Sequence, residues 1–146
     1  TEAIKNVLPE FKELKDVNVK SAMEDVELPF HLAYDANGNF IGAAVETFTN
    51  KGFSGNISLM VGILADGTVN NISVLQHAET PGLGSKMSEP SFKDQFNNKH
   101  ADSFNFNVKK DGGDVDAITA ATISSRAFCD AVNRAISTFE NNKGGF

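Results

Sequence analysis

Hydrophobic residues follow two different rhythms along the chain. Ile4, Val7, Leu8, Phe11 and Leu14 recur at spacings of three and four, which predicts an amphipathic helix over residues 2–17 with Pro9 as a kink. Residues 30–35 and 40–48 flank Asp35-Ala36-Asn37-Gly38-Asn39, a turn-rich stretch that reads as a hairpin loop. Residues 52–55 (Gly-Phe-Ser-Gly) break the pattern. Ile57, Leu59, Val61 and Ile63 then alternate up to Asp66-Gly67, and residues 69–75 follow, which predicts the clearest hairpin of the chain. Residues 77–86 hold Pro81, Gly82 and Gly84 and predict a tight irregular loop. Residues 90–96 read as a short helix, residues 104–108 as another strand and residues 110–114 as a polar turn. Ile123, Ala127, Phe128, Ala131, Val132, Ala135, Ile136 and Phe139 close the chain with a helical stripe that ends before Gly144 and Gly145. The order predicts an α+β fold, an antiparallel β-sheet flanked by N-terminal and C-terminal helices.

At 146 residues the chain fits one domain, residues 1–146, and a domain of that size hides roughly 70% of its unfolded surface without disulfides. With twelve Phe and no Trp, its core is expected to rest on Phe. The net charge of −6 and the absence of a clustered basic patch argue against a nucleic-acid partner; Lys109-Lys110 is the densest basic pair. Cys129 is the single cysteine and lies within the apolar helical pattern, so it reads as a small buried residue. The longest apolar run, residues 57–65, is far below the roughly 20 residues of a spanning helix. Because the chain opens on Thr1 and enters a helix at once, a segment upstream is expected to have been removed.

Standard catalytic signatures fail. Gly52-Phe53-Ser54-Gly55-Asn56 lacks the final Gly of a nucleophile elbow, and Gly82-Leu83-Gly84-Ser85-Lys86-Met87 lacks the last Gly of a dinucleotide fingerprint. His31, His77 and His100 show no metal-ligand spacing. Two segments stand out instead. Glu79, Thr80, Pro81, Gly82, Leu83 and Gly84 form a rigid corner that lets backbone N–H groups and a Thr hydroxyl approach a ligand, with Leu83 as an apolar surface for a flat ring; a plain turn is the alternative. Asp116, Thr119, Ala120, Ala121, Thr122, Ile123, Ser124 and Ser125 run straight into the last helix. Hydroxyls there serve as helix caps or, in the same field of free N–H groups and positive helix dipole, help to hold a phosphate on Thr122, with Thr119, Ser124 and Ser125 as further donors.

Together these segments resemble the FMN-binding family that includes the G subunit of the Rnf electron-transport complex and the C subunit of the sodium-translocating NADH:quinone reductase. The family's Glu-Thr-Pro-Gly-Leu-Gly loop is complete at Glu79 to Gly84, and its Asp-x-x-Ser/Thr-Gly-Ala-Thr motif reads Asp116, Thr119, Ala120, Ala121 and Thr122. The stretches 109–116 and 124–127 look closer to the Rnf member. The resemblance implies one FMN bound covalently by a phosphoester to Thr122, attached from FAD by a flavin transferase that recognises Asp116, Thr119, Ala121 and Thr122. It places the cofactor among Glu79 to Gly84, Thr119, Ala120, Ala121, Ile123 and Ser124, and implies a redox subunit of a membrane ferredoxin:NAD oxidoreductase ion pump. Its partners would be the other subunits, its place the periplasmic side of the inner membrane, and its anchor a segment outside this chain. Ala120 departs from the family's usual Gly; a methyl group there hinders attachment if the position needs a positive φ. The C subunit of the quinone reductase, a noncovalent flavin-binding module and a cofactor-free interaction domain are the alternatives.

Overall fold

The computed structural model describes residues 2–146; Thr1 lies outside the described residues. Five strands form one antiparallel sheet in which each lies beside its sequence neighbour: β1 (Glu13–Lys20), β2 (Glu27–Tyr34), β3 (Phe40–Gly52), β4 (Gly55–Leu64) and β5 (Val69–Gln76). Helix α1 (Glu2–Val7) opens the fold, a one-turn helix α2 (Pro90–Lys93) follows the sheet, and α3 (Thr122–Asn142) closes it.

The alternation along β4 decides which side each helix covers. Ile57, Leu59, Val61 and Ile63 point to one face and are buried with Phe30, Val45 and the apolar stripe of α3, from Ala127 through Phe139. Met60 points to the other face, where Ile4, Val7 and Leu8 pack on it together with Ala33 and Ala44. The main core is rich in Phe, as composition predicts: the ring of Phe128 lies 5.0 Å from those of both Phe92 and Phe96. Full burial of such a side chain contributes roughly 1.5–3 kcal/mol relative to leaving it in water. Hydroxyls stitch helix to sheet, Thr47 donating to the Ala131 carbonyl at 2.9 Å and Thr49 to Asp130 at 2.8 Å.

The sheet also fixes two tips. In the β3–β4 hairpin Gly52 pairs with Gly55, so Phe53 and Ser54 form the end of the ribbon. The chain leaving β5 enters the loop 77–83 and a 3₁₀ turn, Gly84–Ser88.

Two expectations fail. Residues 2–17 are not one helix: α1 ends at Val7 and Glu13–Lys20 is the edge strand β1. Pro9 lacks the N–H that would continue a helix, and it ends this one instead of kinking it. The helical spacing to Leu14 is coincidental; Leu14 lies 39% exposed on β1. Residues 104–108 are not a strand. Phe106 and Val108 are buried, but backbone partners are local: Asn105 N–H donates to the Asp114 carboxylate at 2.8 Å and Lys109 N–H to the Val115 carbonyl at 2.9 Å. Alternating burial occurs here without a partner strand. Cys129 is buried in α3, and burial pushes its thiol up to about 12, so it stays protonated at neutral pH.

Candidate functional site

Phe53, Leu83 and Ile123 are 68%, 39% and 50% exposed, an arrangement that water opposes unless something covers them. They converge on one cavity of about 350 Å³, lined also by Thr80, Gly84, Ala120, Ala121, Thr122 and Ser124. Its walls come from the β3–β4 tip, the loop after β5 and the start of α3.

Two tight turns contribute to the lining of this cavity. In the first, Leu83 N–H donates to the Thr80 carbonyl at 3.0 Å, with Pro81 second and Gly82, φ +78°, third. Pro followed by a residue of positive φ is the demand of a type II turn, which is why this corner reads Pro-Gly. In the second, Ala121 N–H donates to the Ile118 carbonyl at 3.0 Å, and the third position is Ala120 at φ +60°. Ala120 thus holds a left-handed conformation that favours Gly, with a methyl group in place.

Glu79 joins the three walls from behind. It is 4% exposed, and its carboxylate accepts from Phe53 N–H and Ser54 N–H, both at 2.8 Å, and from the Ser124 hydroxyl at 2.5 Å. Burial pushes this carboxyl up. The bonds from Ser124, Ser54 and Phe53, with the neighbouring His77, outweigh that effect and hold it below the usual carboxylate range. Gly84 makes the junction possible, because a Cβ there would overlap the Ser124 hydroxyl.

Thr122 is the first residue of α3. The first intrahelical bond runs from Ser125 N–H to the Ala121 carbonyl at 3.0 Å, so the N–H groups of Thr122, Ile123 and Ser124 fall outside the helical ladder. No side chain caps them among the described residues. The anticipated capping hydroxyls do other work: Ser124 donates to Glu79, and Ser125 donates to the Ala121 carbonyl and accepts from Ile118 N–H, both at 2.9 Å. Uncapped N–H groups and the positive end of a 21-residue helix therefore meet at the cavity, a field that attracts an anion.

Of the residues that sequence singles out, Thr80, Leu83, Gly84, Ala120, Ala121, Thr122, Ile123 and Ser124 line the cavity. Pro81 and Gly82 shape its turn, Glu79 supports it, and Thr119 and Asp116 lie on the far side of the second turn, beside Lys86 and Gln95. The Asp116 carboxylate pairs with Lys109 at 2.7 Å. Phe53 also lines the cavity and is not among the site residues named from sequence, although its loop, residues 52–55, resembles the glycine-aromatic loop of the same FMN-binding family.

The family model described as "FMN-binding domain" matches residues 52–137, a span that contains the β3–β4 tip, the loop after β5 and most of α3. The G subunit of an ion-translocating oxidoreductase complex from Shewanella baltica is 41% identical over 124 residues, 82% of this chain and 58% of its own length. The protein of the same name from Methanosarcina acetivorans is 38% identical over 148 aligned residues, covering 98% of this chain and 76% of its own. The chain thus spans a little over half of the Shewanella relative. Among solved structures, the C subunit of a Na(+)-translocating NADH-quinone reductase from Parabacteroides distasonis aligns with a TM-score of 0.68 at 20% identity, over 97% of this chain and 80% of that one. NqrC from Shewanella oneidensis aligns at 0.61 and 19%, over 98% and 74%. These two share the fold. No helix among the described residues is long and apolar enough to cross a membrane.

Proposed function

Because the chain belongs to the FMN-binding domain family, we propose that it is the FMN-carrying electron-transfer domain of an Rnf-type ion-translocating oxidoreductase complex, with the cofactor joined to Thr122 by a phosphoester. The observation that carries this reading is the position of Thr122, first residue of an uncapped helix and part of the wall of a mostly apolar cavity.

The residues present fit FMN by their chemistry. Thr122 supplies the hydroxyl for the phosphoester, and the N–H groups of Thr122, Ile123 and Ser124 face the charge that a phosphodiester brings. Phe53, Leu83 and Ile123 would offer apolar surface to the flavin. Thr80 adds a hydroxyl to the lining. Bound FMN supplies transfer of one or two electrons. The lining side chains include no carboxylate, amine or imidazole, which suits a domain that passes electrons and converts no substrate of its own.

That lining also lacks a base for the Thr122 hydroxyl, a poor nucleophile near neutral pH. A separate flavin transferase is therefore required, with Thr122 accepting the FMN phosphoryl group of FAD and AMP leaving. A covalent tether holds the cofactor where free FMN is scarce, as on the periplasmic side of the inner membrane, because the local concentration no longer depends on supply. The remaining subunits of the ferredoxin:NAD oxidoreductase supply donor and acceptor, and a segment outside this chain supplies the membrane anchor. The names of the relatives favour this complex; a place in the quinone reductase has likeness of fold alone behind it.

Co-expression with a flavin transferase tests the reading. Wild-type chain is expected to turn yellow and gain one FMN less one water by intact mass, while Thr122→Val stays colourless and unmodified. Flavin retained on Thr122→Val after denaturation would overturn it.

A further inference from the structure

Ser125 is fully buried, and its one hydroxyl makes two bonds. Donation to the carbonyl four residues back, at Ala121, is a routine habit of Ser in a helix. Acceptance from Ile118 N–H, seven residues back and outside the helix, is not. Ile118 and Ala121 are the two ends of the turn whose third residue, Ala120, is held at φ +60°. The hydroxyl thus clamps both ends of a turn that an Ala residue resists, and Thr122 is the next residue along.

We propose that Ser125 is the positioning residue for flavin attachment: by bridging Ile118 and Ala121 it holds the left-handed turn that presents the Thr122 hydroxyl. The inference rests on the reading that Thr122 is the attachment site. In the step it serves, a bond forms between Thr122 Oγ1 and the FMN phosphorus of FAD while the pyrophosphate bond of FAD breaks. AMP leaves with the bridging oxygen, and the hydroxyl proton passes to a base of the transferase; no electron is gained or lost. Ser125 touches none of the reacting atoms. It acts through backbone geometry, and small displacements of a nucleophile slow such steps steeply.

Ser125→Ala keeps the volume of the site, and its neighbour Ser124 keeps the bond to Glu79. The experiment measures the initial rate of FMN attachment by intact mass, with purified transferase and FAD, on wild-type chain, Ser125→Ala, Ala120→Gly and the double variant. Phe139→Leu, a core change at the far end of α3, serves as a control for general loss of stability. Amide exchange at Ile118 is followed in the unloaded chains. Expected are about tenfold slower attachment in Ser125→Ala, faster exchange at Ile118, little change of rate in Phe139→Leu, and partial recovery in the double variant, where Gly adopts the turn without a clamp. Attachment in Ser125→Ala at the rate of wild type or of Phe139→Leu overturns the positioning role and leaves Thr122 as the attachment site. No attachment to wild type or Ala120→Gly overturns both.

Discussion

The Ser124 hydroxyl donates to the Glu79 carboxylate at 2.5 Å, a bond between the first turn of the last helix and the loop 45 residues earlier in the chain. Since the same carboxylate receives Phe53 and Ser54 N–H, the three walls of the cavity share one buried anion. Glu79→Ala leaves these donors without an acceptor. Loss of hydrogen bonds to a charged group costs about 1.5–3 kcal/mol each and is not additive, so a total near 3 kcal/mol is expected by urea denaturation. The sign with pH is equally defined: the folded Glu79 carboxyl lies below its ordinary value, so its contribution is present above the unfolded pKa and is lost as pH falls through the folded one. Wild-type stability should drop more steeply than that of Glu79→Gln on acidification below about pH 4.5.

His31 works in the opposite direction. On β2, its Nδ1 meets Asp16 of β1 at 2.7 Å and its Nε2 meets Glu46 of β3 at 2.6 Å. Desolvation pushes the imidazole down, but the two carboxylates together leave its pKa raised. The stability it provides is complete below the unfolded value of about 6.5 and disappears as pH rises through the folded value above it. A melting-temperature series from pH 6 upward is expected to fall for wild type and to be flatter for His31→Asn.

Ala120→Gly relieves a conformation that costs a non-Gly residue about 1–2 kcal/mol, offset by roughly 0.5–1 kcal/mol of added chain entropy in the unfolded state. A net gain between about 0 and about 1.5 kcal/mol in chemical denaturation is expected. Ala120→Val, β-branched in the same left-handed position, should lose stability.

Arg134 is buried in α3, where it donates to Glu24 at 2.7 Å, to Asp130 at 3.0 Å and to the Phe48 carbonyl. Arg134→Met takes the guanidinium from Glu24, whose side chain is 32% exposed, and from Asp130, which keeps Thr49 and Lys51. The loss should therefore fall below the cost of breaking a fully buried pair, about 3–5 kcal/mol. Thermal unfolding checks it.

The central hairpin and the last helix were legible because the residues that face the main core recur at periods of two and 3.6, as along Ile57, Leu59, Val61 and Ile63 and along Ala127 to Phe139. Strand β1 was hidden because it is an edge strand whose burial pattern is almost wholly exposed; its place comes from pairing with β2, and no local hydrophobic rhythm marks it. In the site, turn chemistry was visible in Pro81-Gly82 and in the departure at Ala120. The position of Phe53 depends on Glu79 reaching across 26 residues, a tertiary bond that local spacing does not encode. Ser124 and Ser125 looked like caps for the same reason: their acceptors and donors become neighbours only in the fold.

The covalent link is tested most directly by peptide mapping. Trypsin cuts after Lys110 and Arg126, releasing residues 111–126 with Thr119, Thr122, Ser124 and Ser125 as the only hydroxyl residues. Fragmentation of that peptide from the flavinylated chain should place the FMN phosphate on Thr122. The same peptide recovered unmodified from chain that still holds flavin, or carrying it on Thr119, contradicts the account.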